Sequence, residues 1–175
     1  YELNAMLSLA TEAYLIPDAI RDAKVPVILH PTMQRASSPE TFHGHLGTAA
    51  FLADQKIPMT ICTAFEGYVP KTRVLRYEAA MAMINGLGHE RALRAITLDA
   101  AKMLGIDGQF GSIEVGKAAD LVLYDGDPFE HSTHVTFTII NGRVVHDRAE
   151  YLKLPFERRA LPLSANGGDY GCCLG

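Results

Sequence analysis

The chain has 175 residues, 48% apolar and 21% charged, with a formal net charge of −4. That is enough for one globular domain of ordinary size. It gives no basic stripe for a nucleic-acid partner, and no apolar run nears the roughly 20 residues of a membrane span.

In chain order, the first third alternates strand and helix signals. Residues 4–10 (NAMLSLA) are a short apolar run. Thr11 stands where it can cap the next helix, with Tyr14, Leu15, Asp18, Ala19 and Ala23 at helical spacing and Pro17 in the early turns that tolerate proline. Residues 25–29 (VPVIL) have the β-branched character of a buried parallel strand, ended by His30 and Pro31. Residues 32–47 are rich in Ser, Gly and His and read as a long loop, a feature often tied to function. A short helix over 48–56 and a buried strand over 57–63 (IPMTICT) follow, then a second loop to Arg76. Helices are expected over 77–85, stopped by Gly86, over 89–96, and over 98–104, capped by Thr97 and stopped by Gly105. The order β-α-β-loop-α-β-loop-α predicts parallel strands with right-handed crossovers. Pattern alone leaves two architectures open, part of a (β/α)8 barrel or a small open α/β sheet, because three such strands cannot close a barrel.

After Gly105 the character changes. Residues 119–124 (ADLVLY) read as a strand and residues 125–128 (DGDP) as a turn. Residues 136–140 (TFTII) and 143–146 (RVVH) flank Asn141-Gly142, the strongest short hairpin signal, because a type I′ turn needs positive φ at both central residues. The divisions are therefore 1–105 for the strand–helix units, 106–148 for the antiparallel strands, and 149–175 for an irregular tail. The three cysteines, Cys62, Cys172 and Cys173, form neither a disulfide framework nor a CxxC pair, so a reducing, cytoplasmic compartment is the default.

Residues 92–106 (ALRAITLDAAKMLGI), 110–128 (FGSIEVGKAADLVLYDGDP) and 138–147 (TIINGRVVHD) resemble, in order, the closing segment of the amidohydrolase superfamily, whose imidazolonepropionase- and prolidase-like members are metal-dependent hydrolases. Residues 10–31 and 49–64 resemble the sixth to eighth strand units of the same barrel more loosely. The resemblance implies an α/β chain: the C-terminal part of a TIM-like (β/α)8 barrel plus strands of an attached small β-sandwich. Within the motif, Lys117 and Asp120 read as turn or surface groups, so it identifies a family without performing its chemistry.

What the resemblance implies about the site is a divalent metal, with zinc the expected ion, at the C-terminal ends of the strands. Its early ligands would precede Tyr1. The family's strand-six histidine falls on or beside Ala10, and its strand-eight Gly-Thr-Asp aligns with Cys62, Thr63 and Ala64; neither alanine can bind a metal or exchange a proton. Substitutes stand nearby. His43 and His45 form a His-Gly-His that an extended backbone could turn toward one metal. Glu66, two residues past Ala64, is the candidate catalytic carboxylate. His30, Arg35 and Thr63 are candidate substrate contacts, Arg35 through a bidentate grip on a carboxylate. His89, His131, His134 and His146 read as structural.

The leading expectation is a hydrolase of amide, peptide or cyclic-amide C–N bonds, of which this is the C-terminal portion. A catalytically degenerate homologue and a stand-alone α/β binding module are the alternatives. Small-molecule amides or peptides are the expected substrates. Because part of a barrel exposes strand edges, the N-terminal remainder of the barrel or self-association is expected to cover them. No nucleic acid and no membrane is expected as partner.

Overall fold

The computed structural model describes residues 5–29, 32–33, 39–63, 65–66, 69–70 and 74–159. The chain divides into two compact units, one of Tyr1–Phe65 with Pro70–Lys117 and the other of Glu66–Val69 with Ala118–Gly175.

Unit 1 is built on three parallel strands in sequence order, Leu7–Ser8 (β1), Val27–Leu29 (β2) and Met59–Ile61 (β3). Leu7 stands opposite Val27, and Val27 opposite Met59. The strands are shorter than the apolar runs that announced them, because Pro26 and Pro58 have no N–H to give the ladder. Their carbonyls instead accept from Leu7 N and Val27 N, so pairing starts one residue beyond each proline. Between the strands run helices Pro17–Ala23 (α1) and Thr48–Asp54 (α2). The expected cap at Thr11 is not made: its hydroxyl donates back to Leu9 O, a 3₁₀ turn occupies Ala13–Leu15, and α1 starts with Pro17 in its first turn.

After β3 come Leu75–Ala82 (α3), His89–Ala95 (α4) and Leu98–Met103 (α5). The helical geometry ends at Gly86 as expected: Asn85 and Gly86 leave helical φ/ψ, Gly86 at φ 105°, and Asn85 Nδ2 donates to Met81 O at 2.7 Å. Thr97 stands at the start of α5, yet its hydroxyl donates to Leu93 O at 2.7 Å. The core combines Val27, Leu29 and Ile61 of the sheet with Leu52 and the small residues Ala79, Ala92 and Ala95, all buried. Alanines on the helices let them approach the sheet closely, and buried Thr60 joins β3 to α4 by donating to Ala95 O at 2.5 Å.

Unit 1 continues past Gly105 to Lys117, whereas the sequence places the division at 105. A backbone bond from Ile106 N to Ala101 O ties this stretch to α5, and one from Phe110 N to Ile106 O turns the chain back within it. Gly111 then lies so close to α5 that a Cβ there would stand 2.7 Å from Ala101 Cβ. Lys117, only 13% exposed, donates to Ser112 Oγ at 2.6 Å and pairs with Glu114 at 3.1 Å. The Ser112 hydroxyl and then Lys117 hold the Glu114 carboxyl below its ordinary pKa.

Unit 2 contains an antiparallel sheet of Leu121–Tyr124 (β6), Val135–Ile140 (β7) and Arg143–Asp147 (β8), in that order. The short strands Phe65–Glu66 (β4) and Val69–Pro70 (β5) form a separate two-stranded pair. The β7–β8 turn is the expected one: Ile140 pairs with Arg143, and Asn141 (φ 50°) and Gly142 (φ 73°) are both left-handed, as a type I′ turn requires. Asp120 fixes it by accepting from Asn141 N at 2.8 Å, while Ala119 O accepts from Gly142 N at 3.0 Å. The motif's Lys117 and Asp120 therefore both make structural contacts.

Two further features of unit 2 are local. Asp125 accepts from His134 N at 2.8 Å and from its ring at 3.1 Å, and these bonds, the backbone one first, lower the Asp125 pKa. The tail expected to be irregular from 149 begins as a helix, Arg148–Lys153 (α6), because Asp147 caps it by accepting from Ala149 N and Glu150 N. Residues 160–175 lie outside the described residues.

Candidate active site

In a parallel sheet every strand points the same way, so the loops that follow the strands gather at one end. Here the loop after β1 carries Thr11, Glu12 and Tyr14, and the segment after β2 carries His43 and His45. The two segments meet. Glu12 Oε1 lies 2.8 Å from His43 Nδ1 and also accepts from His43 N at 3.3 Å. Tyr14 OH donates to His43 O at 2.9 Å, and the Tyr14 ring lies 5.9 Å from the His45 ring. Gly44 permits the approach, since a Cβ there would stand 3.2 Å from Thr11 Cγ2.

In the neutral rings these bonds select the tautomers of both imidazoles. With Nδ1 donating to the Glu12 carboxylate, His43 presents a bare Nε2, a base or ligand oriented by the acid behind it. The His43 side chain is 70% exposed. His45 is wired oppositely. Its Nδ1 accepts from Gly47 N at 2.9 Å, which leaves Nε2–H as a donor in the neutral ring. One mouth thus offers a proton acceptor and a proton donor.

A buried carboxylate supports the loop after β2. Glu78 on α3 is 1% exposed and accepts from Met33 N at 2.9 Å. Its partner lies 45 residues earlier, so only the folded chain brings them together. Glu12 and Tyr14 were likewise missed by sequence reasoning, which read them as part of an amphipathic helix. The overlooked signal was the run Thr11-Glu12 placed directly after a strand.

The sequence candidates divide as follows. His43 and His45 both lie in the segment after β2, each engaged with its own partner. Thr63 is half-buried just beyond β3. Ala10 is half-buried after β1, with its N–H donating to Ile28 O at 3.4 Å, and its side chain offers no donor atom. The Glu66 backbone lies in β4, while its carboxylate is outside what the structure describes. His30, Arg35 and Ala64 lie outside the described residues. Among the described residues no group of three His, Cys, Asp or Glu side chains could hold a metal. Nor is any helix among them long and apolar enough to cross a membrane.

Residues 65–146 match the model of the Amidohydrolase family. The imidazolonepropionase of Sphingopyxis alaskensis is 30% identical over 147 residues, which is 82% of this chain and 32% of the relative. An amidohydrolase from Thermotoga maritima superposes with a TM-score of 0.76 at 31% identity, over 82% of this chain and 37% of that one. An adenosine deaminase from Xanthomonas campestris with bound zinc shares the fold at a TM-score of 0.57 and 22% identity, over 87% of this chain and 39% of its own. The chain spans about a third of the length of these proteins.

Proposed function

Since the chain belongs to the amidohydrolase superfamily, we propose that the protein hydrolyses the C–N bond of a small amide, peptide or cyclic amide. In this reading β1–β3 are late strands of a (β/α)8 barrel and β6–β8 belong to an attached β-sandwich, the remainder of the barrel being supplied by sequence beyond this chain or by self-association. The observation that carries the reading is the Glu12–His43 pair at the strand ends where such barrels hold their chemistry. His43 Nε2 would take a proton from the attacking water or deliver it to the leaving nitrogen. His45 Nε2–H would donate to the substrate carbonyl. Thr63, with Arg35 and His30, would line the substrate side, and Glu66 would serve as an additional carboxylate. A cyclic amide carrying a carboxylate suits Arg35, and imidazolonepropionase is the name of the Sphingopyxis relative.

A metal-activated water, with zinc the first ion to test, is the finer form of this proposal. It rests on the family resemblance and on the zinc carried by the Xanthomonas deaminase. The described residues of this chain do not by themselves fit such a site, since no three metal-ligating side chains come together among them and His45 Nδ1 is already engaged by Gly47 N. A cytoplasmic setting remains the reading of the three unpatterned cysteines.

One observation favours the degenerate reading, the half-buried Ala10 where the resemblance places a histidine. A single set of measurements separates the two. The complete gene product is assayed against X-Pro dipeptides and an imidazolone propionate, with zinc, manganese or cobalt, and its metal content is measured after dialysis. Turnover that falls by about 10²-fold or more in His43→Ala, within the usual range for a general acid–base, supports the hydrolase. A protein that holds no metal and turns over none of these substrates supports the degenerate homologue.

A further inference from the structure

The opposite end of the parallel sheet carries a cavity of about 790 Å³, within the usual range for small-ligand sites. It opens where the strands begin. Met6, Pro26 and Pro58 each stand immediately before β1, β2 and β3 and form one edge, while Met59, Met103 and Leu104 supply further apolar lining. Met6 is 39% and Leu104 62% exposed, so apolar surface faces solvent here.

The charges around this apolar floor are one-sided. Lys56, Arg91, Arg94 and Lys102 line the cavity against the single carboxylate of Asp99, a local balance of +3 on a chain of −4. Two of the cations are already used. Arg91 pairs with Asp54 at 2.6 Å and donates to Leu87 O and Gly86 O, and Arg94 pairs with Asp99 at 2.8 Å. Lys56 and Lys102 have no carboxylate partner among the described residues. Lys56 also takes φ 58°, the left-handed position after a helix that glycine ordinarily fills.

We propose that this cavity binds a small organic anion, a phosphate or carboxylate head on an apolar body, with Lys56 and Lys102 holding the head and Met6, Met59 and Met103 contacting the body. Such a ligand satisfies both surfaces at once: the two ammonium groups gain charge-assisted hydrogen bonds, and the exposed methionine and leucine side chains leave water. The site is separate from the Glu12–His43 mouth and does not depend on the hydrolase reading, because the two lie at opposite ends of the same strands.

The methionines provide the test. Three of the six in the chain, Met6, Met59 and Met103, line the cavity. Protein labelled with ¹³C at the methionine methyls is titrated with phenyl phosphate and, in parallel, with inorganic phosphate and benzyl alcohol. The expected result is saturable movement of these three signals by phenyl phosphate, with Met33, Met81 and Met83 steady and both controls binding more weakly. The variant Lys56→Gly/Lys102→Ala should weaken phenyl phosphate by about tenfold or more without lowering the melting temperature. Glycine relieves the positive φ at position 56 and alanine suits the helix at 102. Three unmoved methyl signals, unchanged affinity in the variant, or equally tight binding of benzyl alcohol would each overturn the proposal.

Discussion

Replacing Gly111 by alanine should destabilise unit 1 by about 2–6 kcal/mol, the sum of two separable costs. The first is conformational: Gly111 sits at φ 91°, where a side chain costs about 1–3 kcal/mol. The second is crowding. The new Cβ would stand 2.7 Å from Ala101 Cβ, 3.0 Å from Leu98 Cα and 3.2 Å from Thr97 O. These atoms belong to the start and body of α5 and cannot swing aside as a long side chain would. Overpacking of this type adds about 1–3 kcal/mol. Gly116 provides the control, because its φ is 94° yet nothing lies within 4 Å of its Cβ position. Gly116→Ala should therefore show the conformational cost alone. Urea unfolding of the three proteins measures both, and each kcal/mol should also move the melting temperature by roughly 2–4 °C for a chain of this size. In an Ala101→Gly background, which removes the nearest atom, Gly111→Ala should lose part of its excess. If Gly111→Ala is no more destabilising than Gly116→Ala, the close approach to α5 is not a feature of the folded protein.

Two further predictions concern unit 2. Gly142→Val places a β-branched residue at φ 73° and should cost about 1–3 kcal/mol, read as a lower unfolding midpoint; an unchanged midpoint would remove the type I′ turn. The lowered pKa of Asp125 has a definite sign. Its contribution to stability is fully present above the ordinary aspartate pKa and is lost as pH falls through the depressed one. Asp125→Asn keeps an acceptor for His134 N but removes the charge. The gap in melting temperature between parent and variant should therefore narrow from about pH 6 to about pH 3, and a gap that widens on acidification would contradict the assignment.

The parallel order of β1, β2 and β3 was legible because short apolar runs separated by helical spacing admit few other topologies. The β7–β8 turn was legible because the conformational needs of Asn141-Gly142 are met within two residues. Local rules failed where a side chain had a choice of partners. Thr11 and Thr97 both have the residue type and place of a helix cap, yet each hydroxyl bonds a preceding carbonyl, Leu9 O and Leu93 O. Asp147 did become a cap, and it turned the start of an expected irregular tail into α6.

The sequence by itself determined the superfamily, the parallel sheet, the hairpin and the structural character of Lys117 and Asp120. Those follow from short-range patterns, in which the residues that matter are neighbours along the chain. Only the tertiary structure decided which side chains meet at the two sheet ends. Glu12 meets His43 across 31 residues, and Glu78 reaches Met33 across 45. The cationic cavity assembles residues from Met6 to Gly105. Such contacts depend on where parallel strands begin and end in space. Strand spacing along the sequence does not encode that distance, because the intervening helices return the chain to the same end of the sheet whatever their side chains carry.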